Sequence, residues 1–203
     1  MLDPWVESFV LESLPPAPAR VLEIGAGSGE LAEALRSARY DVLAIDPAAS
    51  IPTVRAVALH ELREPPASFD AAVAVVSLHH VEPLAESCRR LGELVRSGGT
   101  LVLDEFDVER FDEPTARWWL AQREPNGNDI PSAGEIVADL RHHLHGLSTL
   151  RATLEEWFEL GQTARGPYLY RWQLPPGLRD TEEDLIAAGR LPATGARIVG
   201  TRK

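Results

Sequence analysis

Two hydrophobic rhythms alternate along the first hundred residues. Apolar positions 6, 9, 10 and 14 recur at helical spacing and give way to Pro15, Pro16 and Pro18, which predicts an amphipathic first helix packed on the edge of the fold. Residues 20–24, 41–46 and, more weakly, 55–59 read as strands, with a helix over 29–38. Residues 71–76 are apolar without interruption, the pattern of a parallel strand covered on both faces, and should be central. Leu84, Cys88, Leu91 and Val95 form one helical stripe between Pro83, suited to a first turn, and Gly98, suited to a stop. A second buried strand follows at 100–103. Beyond residue 105 the rhythm loosens: 113–122, 133–144 and 181–188 look helical, 156–160 fits strand or helix, and 197–201 suits a last strand.

This β-α-β alternation implies an α/β fold with a doubly wound, mostly parallel sheet and right-handed crossovers. The 203 residues, 44% hydrophobic, suffice for one core, so a single domain over 1–203 is expected. Residues 1–18 form its N-terminal helix and linker, and 106–180 a variable region with substrate-covering, cap-like helical elements. There is no internal repeat. The sequence lacks a basic segment ahead of an apolar run and any stretch of 18 apolar residues, and Cys88 has no second cysteine to pair with. These features predict a cytoplasmic protein without membrane association. Lysine and arginine total 20 against 31 acidic residues, a formal charge of -11, which argues against a nucleic acid partner.

Candidate chemistry begins between the first strand and its helix, at Glu23-Ile24-Gly25-Ala26-Gly27-Ser28-Gly29. Glycines here let the backbone approach a ligand at the carboxyl edge of the sheet. A dinucleotide fingerprint needs its third glycine at position 30, where the chain has Glu30. Glu23 argues the same way, because a carboxylate 4 Å from a pyrophosphate charge costs about 4 kcal/mol at an effective dielectric near 20. It favours a cationic ligand, and S-adenosylmethionine, with an ammonium, a sulfonium and no phosphate, fits. Asp46 ends the second strand 21 positions after Gly25, where an acid accepts hydrogen bonds from ribose hydroxyls.

Residues 21–29, the Asp46 end of Ala44-Ile45-Asp46, and residues 69–81 and 94–103 resemble, in order and spacing, the successive motifs of class I S-adenosylmethionine-dependent methyltransferases, closest to the small-molecule branch of ubiquinone-biosynthesis-like enzymes. Gly195-Ala196-Arg197 is a weaker echo before a final strand. The resemblance implies a Rossmann-like seven-stranded sheet in the order 3-2-1-4-5-7-6, strand 7 antiparallel, and methyl transfer to a small-molecule acceptor. It also implies that Glu23, Gly25, Ala26, Gly27 and Gly29 hold the methionyl part, Asp46 the ribose, and Ser77 with Leu78 the floor under the sulfonium. Members often meet the adenine amino group with an acid after the third strand. Here Ala58 or Leu59 stands at that place, and Glu61 is the substitute.

His79 and His80 follow the strand at 71–76, where the methyl group would be presented, and are candidates for a general base or an orienting pair. They could equally fix the loop or stack on the cofactor. Asp104, Glu105 and Asp107, also at the productive edge, could meet a cation or a substrate amine, but read first as a solvated acidic loop. Ser77-Leu78 at the strand end and the lack of an H-E-x-x-H pattern around His142, His143 and His145 predict no metal. Trp118, Trp119, Tyr168 and Tyr170 are candidates for walls around a planar or apolar acceptor, set against ordinary core packing. The competing function is a cofactor-binding sensor or scaffold without turnover. A base-amino methyltransferase is disfavoured because Ser77-Leu78-His79-His80 is not an Asn/Asp-Pro-Pro-aromatic motif.

Overall fold

The computed structural model describes residues 2–123 and 131–203, so Met1 and part of the expected variable region, 124–130, lie outside the described residues. Helix α1 (Pro4–Ser13) starts with Asp3 accepting from the Trp5 N–H at 2.8 Å, a cap that satisfies one of the donors left free by the first turn. Strand β1 (Arg20–Ile24) pairs in parallel with β2 (Asp41–Ile45) on one side and β3 (Phe69–Val75) on the other. Helix α2 (Glu30–Ser37) makes the first crossover and α3 (Leu84–Leu94) the crossover from β3 to β4 (Val95–Phe106).

The sheet order is β2-β1-β3-β4-β7-β5, where β7 (Gly195–Arg202) runs antiparallel to β4 and β5 (Phe158–Leu160). This keeps the expected arrangement at its centre and departs from it at both edges. The strand expected at 55–59 is reduced to a bridge between Ile45 and Arg55, and its end, Leu59, begins a single 3-10 turn, Leu59–Glu61. At the opposite edge two short strands, β5 and β6 (Ala164–Gly166), share β7 as partner and are separated by residues 161–163. Residues 156–160, open between helix and strand, become strand at their end. Helix α6 (Leu147–Leu154) was not expected.

Period-two alternation in the strands sends side chains to opposite faces. Leu22, Ile24, Leu101 and Leu103 meet Leu84, Cys88 and Leu91 of α3 and Leu147, Leu150 and Leu154 of α6. Val21, Ala71, Val73 and Val102 meet Val6 and Val10 of α1 and Leu31, Ala32 and Leu35 of α2. A third cluster begins where β4 ends: Phe106, Phe111 and Trp119 pack with Val137, Tyr168 and Leu169, joining α4 (Glu113–Gln122), α5 (Ala133–His143) and the turn Leu169–Arg171. Helix α7 (Arg179–Ala187) adds Glu182, whose buried carboxylate accepts from the N–H groups of Tyr168, Leu169 and Tyr170 at 2.7 to 3.0 Å. No helix among the described residues is long and apolar enough to cross a membrane.

Candidate functional site

The carboxyl ends of β1, β2 and β3 surround a cleft of about 400 Å³, lined by Gly25, Asp46, Ser77 and His80 with an apolar wall that includes Val57, Ala58 and Leu59. On one side of it the Gly25 backbone passes close against Ser77. Gly25 takes φ +70°, and a Cβ built there would stand 2.3 Å from Ser77 Cβ, so only glycine allows the loop to pass this close. The Ser77 hydroxyl donates to the Ile24 carbonyl at 2.8 Å and locks the two segments together. Gly29, also left-handed at φ +74°, caps α2.

Glu23 is 4% exposed beneath this loop. Burial raises its pKa from 4.5 to about 7, against the pull of the Arg36 guanidinium and a backbone N–H at Ala32. One of its oxygens, Oε2, has no hydrogen-bond partner. A buried carboxylate with an unspent acceptor suits an ammonium group and opposes a phosphate. Asp46 accepts from the N–H of Gly27 at 3.0 Å and of Ala48 at 2.8 Å, so it braces the glycine loop from the end of β2 and retains lone pairs for a further donor. The loop also hangs from Ile45, whose carbonyl accepts from the N–H groups of Gly25 and Ala26.

The histidine pair divides into a buried and an exposed member. His79 is 2% exposed, and its Nδ1–H donates to Glu105 Oε2 at 2.5 Å; when neutral it keeps its lone pair on Nε2. Glu105 is wholly buried, with Oε1 accepting from the N–H groups of Ser77 at 3.2 Å and Leu78 at 2.8 Å. A single carboxylate thus fixes the loop backbone and the imidazole. His80 lies 4.3 Å from the His79 ring, is exposed and lines the cleft. Partial burial and then the neighbouring His79 lower its pKa below the ordinary 6.5, which keeps it neutral at pH 7.

Other predicted positions fall elsewhere. Leu78 is buried in the core and offers the site its backbone. Ala26 packs in the α1/α2 core, Gly27 is exposed, and Glu61 is exposed and outside the residues lining the cleft. Trp119 is 3% exposed, stacked 4.3 Å from Trp172 and donating from Nε1 to the Trp172 carbonyl; Tyr168 stacks on Phe106 at 4.7 Å. Trp118 packs half-buried against the same cluster. None of these three lines the cleft, and Tyr170 lines a different, smaller cavity. Asp104, Glu105 and Asp107, read as a solvated loop, are instead each at most 2% exposed. The reason is that β4 runs on to Phe106, so Asp104 and Glu105 lie within the strand and Asp107 directly after it, and all three need partners: Arg171 and Arg197 for Asp104, His79 for Glu105, Arg165 for Asp107. An acid continuing a buried apolar run was the signal for Glu105. No group of three or more metal-ligating side chains is assembled among the described residues.

A family model described as a methyltransferase domain matches residues 3–146. Among curated proteins, the ubiquinone biosynthesis O-methyltransferase of Xylella fastidiosa (strain 9a5c) is 29% identical over 188 residues, 77% of this chain and 73% of that one. The chain spans about half the length of Xanthomonas relatives bearing the same name, 51% at 32% identity for the one from Xanthomonas axonopodis. Among solved structures, an S-adenosylmethionine-dependent methyltransferase from Mesorhizobium loti superposes with a TM-score of 0.62 at 17% identity, over 96% of this chain and 95% of that one. The 1,6-didemethyltoxoflavin-N1-methyltransferase of Burkholderia thailandensis, solved with 1,6-didemethyltoxoflavin and S-adenosylhomocysteine, gives 0.54 at 20% identity, over 92% and 71%. At these identities the structural likeness speaks for the fold.

Proposed function

This chain belongs to the class I S-adenosylmethionine-dependent methyltransferases, its matched domain spanning residues 3–146, and we propose that it methylates a small-molecule acceptor, on oxygen, at the cleft beside His80. The observation that carries the reading is the convergence of Gly25, Asp46, Ser77 and His80 on one cleft, with the unpartnered Glu23 oxygen beneath the loop. S-adenosylmethionine is the cofactor and supplies an electrophilic methyl on a sulfonium. The residues present suit it. Glu23 has an acceptor to spare for the ammonium, Asp46 for ribose hydroxyls, and Val57 to Leu59 offer an apolar wall to the adenine ring. Glu61 would reach the adenine amino group only if its turn moved toward the cleft.

For the acceptor, alignment beside the methyl group supplies most of the acceleration, since oriented reactants gain roughly 7 to 11 kcal/mol over free ones. His80, neutral at pH 7 and facing the cleft, takes the proton from an acceptor hydroxyl. His79 and Glu105 hold the loop that presents it, and Glu105 fixes the His79 tautomer. The buried Trp119 and Tyr168 hold α4 and the turn at Leu169–Arg171 in place, and of the four aromatic candidates Trp118 and Tyr170 are the two with surface to offer. The name of the Xylella relative supports oxygen as acceptor atom. A soluble, cytoplasmic protein acting on a small molecule without nucleic acid agrees with the charge of -11.

Calorimetry with S-adenosylmethionine, S-adenosylhomocysteine and NAD, followed by an acceptor screen that reads S-adenosylhomocysteine formation, tests the proposal. Cofactor binding with turnover of a phenol or catechol is the expected result. Turnover of nitrogen acceptors alone would refute oxygen transfer, and binding without turnover of any class would favour the sensor.

A further inference from the structure

On the α1 side of the sheet, one strand away from β3, a second cavity of about 200 Å³ opens between Asp104 of β4, the β6–β7 pair, the turn Leu169–Arg171 and the start of α7. Its lining carries four guanidinium groups, Arg165, Arg171, Arg179 and Arg197, against two carboxylates, Asp104 and Glu183. In a chain of formal charge -11 this is a local excess of positive charge. Asp104 alone serves two of the arginines: Oδ1 accepts from Arg171, and Oδ2 from Arg197 Nε at 2.7 Å. Arg165 is matched by the buried Asp107, and Arg179 by Glu183 at 2.7 Å. Asp180 lies 3.7 Å from Arg179 as well, and Glu182 stands behind the turn that carries Arg171, so the excess of positive charge is confined to the cavity's own lining, four guanidinium groups against two carboxylates.

Donors are left over as well. The Nε groups of Arg171 and Arg179 are buried and have no hydrogen-bond partner, although their side chains are only 16% and 22% exposed. Those two nitrogens are closed off from the cavity, so an anion there meets the remaining guanidinium nitrogens of the lining, and an oxyanion is the partner whose geometry matches the guanidinium fork. The arginines are held ready for it by aromatic rings: Arg179 lies 4.0 Å over Trp5, Arg197 4.9 Å over Phe9, and Arg171 4.8 Å over Tyr168. Tyr170 donates to Asp3 at 2.6 Å and ties the turn to the start of α1. Ordering these three long side chains in advance removes entropy that an anion would otherwise have to overcome.

We propose that this cavity is an oxyanion-binding site for a carboxylate or phosphate group, separate from the cofactor cleft, with which it shares no lining residue. The group belongs either to the methyl acceptor or to a free small anion. Only the first assignment rests on the proposed methyl transfer.

The test uses the full chain, in chloride-free buffer, with benzoate and inorganic phosphate as probes and benzamide as the uncharged control. Binding is read by calorimetry with and without saturating S-adenosylhomocysteine. At least one anion should bind, benzamide should not, and S-adenosylhomocysteine should leave the anion in place. Arg171→Lys keeps the charge beside Asp104 but removes the fork, and should weaken the anion about tenfold. Arg179→Gln, at the start of α7, should weaken it while the chain still unfolds cooperatively in urea, and serves if Arg171→Lys does not fold. Failure of both anions to bind, displacement by S-adenosylhomocysteine, or unchanged affinity in the folded variants overturns the proposal. Turnover of catechol against 3,4-dihydroxybenzoate separates the sources. A loss of kcat/KM in the variants confined to the carboxylated acceptor assigns the site to the acceptor, and anion binding lost with both rates equal to wild type, zero included, assigns it to a free anion.

Discussion

Replacing Glu23 by glutamine should make the protein more stable at neutral pH and remove a defined part of its pH dependence. Glu23 is 4% exposed and its pKa is pushed up from 4.5 to about 7, mainly by burial. Below pH 4.5 the carboxyl is protonated in both folded and unfolded chains and contributes no slope. Between 4.5 and 7 the folded state holds a proton that the unfolded state has released, so stability falls by about 1.4 kcal/mol per pH unit. Above pH 7 both states are ionised and the loss levels off. The 2.5-unit difference gives about 3 kcal/mol, all of it lost by the time the pH passes the folded value. Glutamine keeps the size and a hydrogen-bonding oxygen but cannot ionise. Urea unfolding of both proteins without cofactor, at pH 5, 6, 7 and 8, should therefore show a stability gap in favour of Glu23→Gln that widens with pH. For a chain of this size, 3 kcal/mol is roughly 6 to 12 °C in Tm. Groups common to both proteins cancel in the difference, so parallel curves from pH 5 to 8 would refute the reasoning. Cofactor affinity supplies a second reading, because an ammonium binds the ionised carboxylate. In the wild type it should tighten from pH 5 to 7, and in Glu23→Gln it should be weaker and flat.

Asp46→Asn should weaken S-adenosylhomocysteine by about 1 to 3 kcal/mol in calorimetry, since the ribose loses a charged acceptor while the glycine loop keeps a partial brace. Gly25→Ala should abolish cofactor binding before it abolishes folding, because its Cβ would lie 2.3 Å from Ser77 Cβ at a left-handed φ; a crystal structure or titration showing normal binding would contradict the close passage described. His80→Gln should lower turnover of a hydroxyl acceptor by about 10² to 10⁴-fold and remove an acid limb of kcat/KM lying below pH 6.5, with cofactor affinity nearly unchanged. Glu105→Gln leaves the His79 Nδ1–H without its charged acceptor, and should lower the urea midpoint by more than His80→Gln does.

Local pattern carried the inner sheet and the glycine loop. The uninterrupted run at 71–76, the stripe on α3 and the glycine spacing with Glu23 and Asp46 are short-range features, and each encodes a backbone requirement that any fold must meet nearby. What lies beyond Asp104 was decided by tertiary packing. Whether Asp104 and Glu105 sit in water or in a sheet depends on β7, which arrives from far along the chain to pair with β4 and carries Arg197 to Asp104. The division of labour between His79 and His80 likewise depends on Glu105 from the neighbouring strand, since adjacent histidines look alike in sequence. For Trp119 and Tyr168 the sequence left acceptor wall and core packing both open, because aromatic residues serve both, and their burial and stacking on Trp172 and Phe106 come only with the tertiary structure. The arginine cavity had no local signature: its four guanidinium groups come from β6, a 3-10 turn, α7 and β7, and only the tertiary packing of these elements brings them to one cavity.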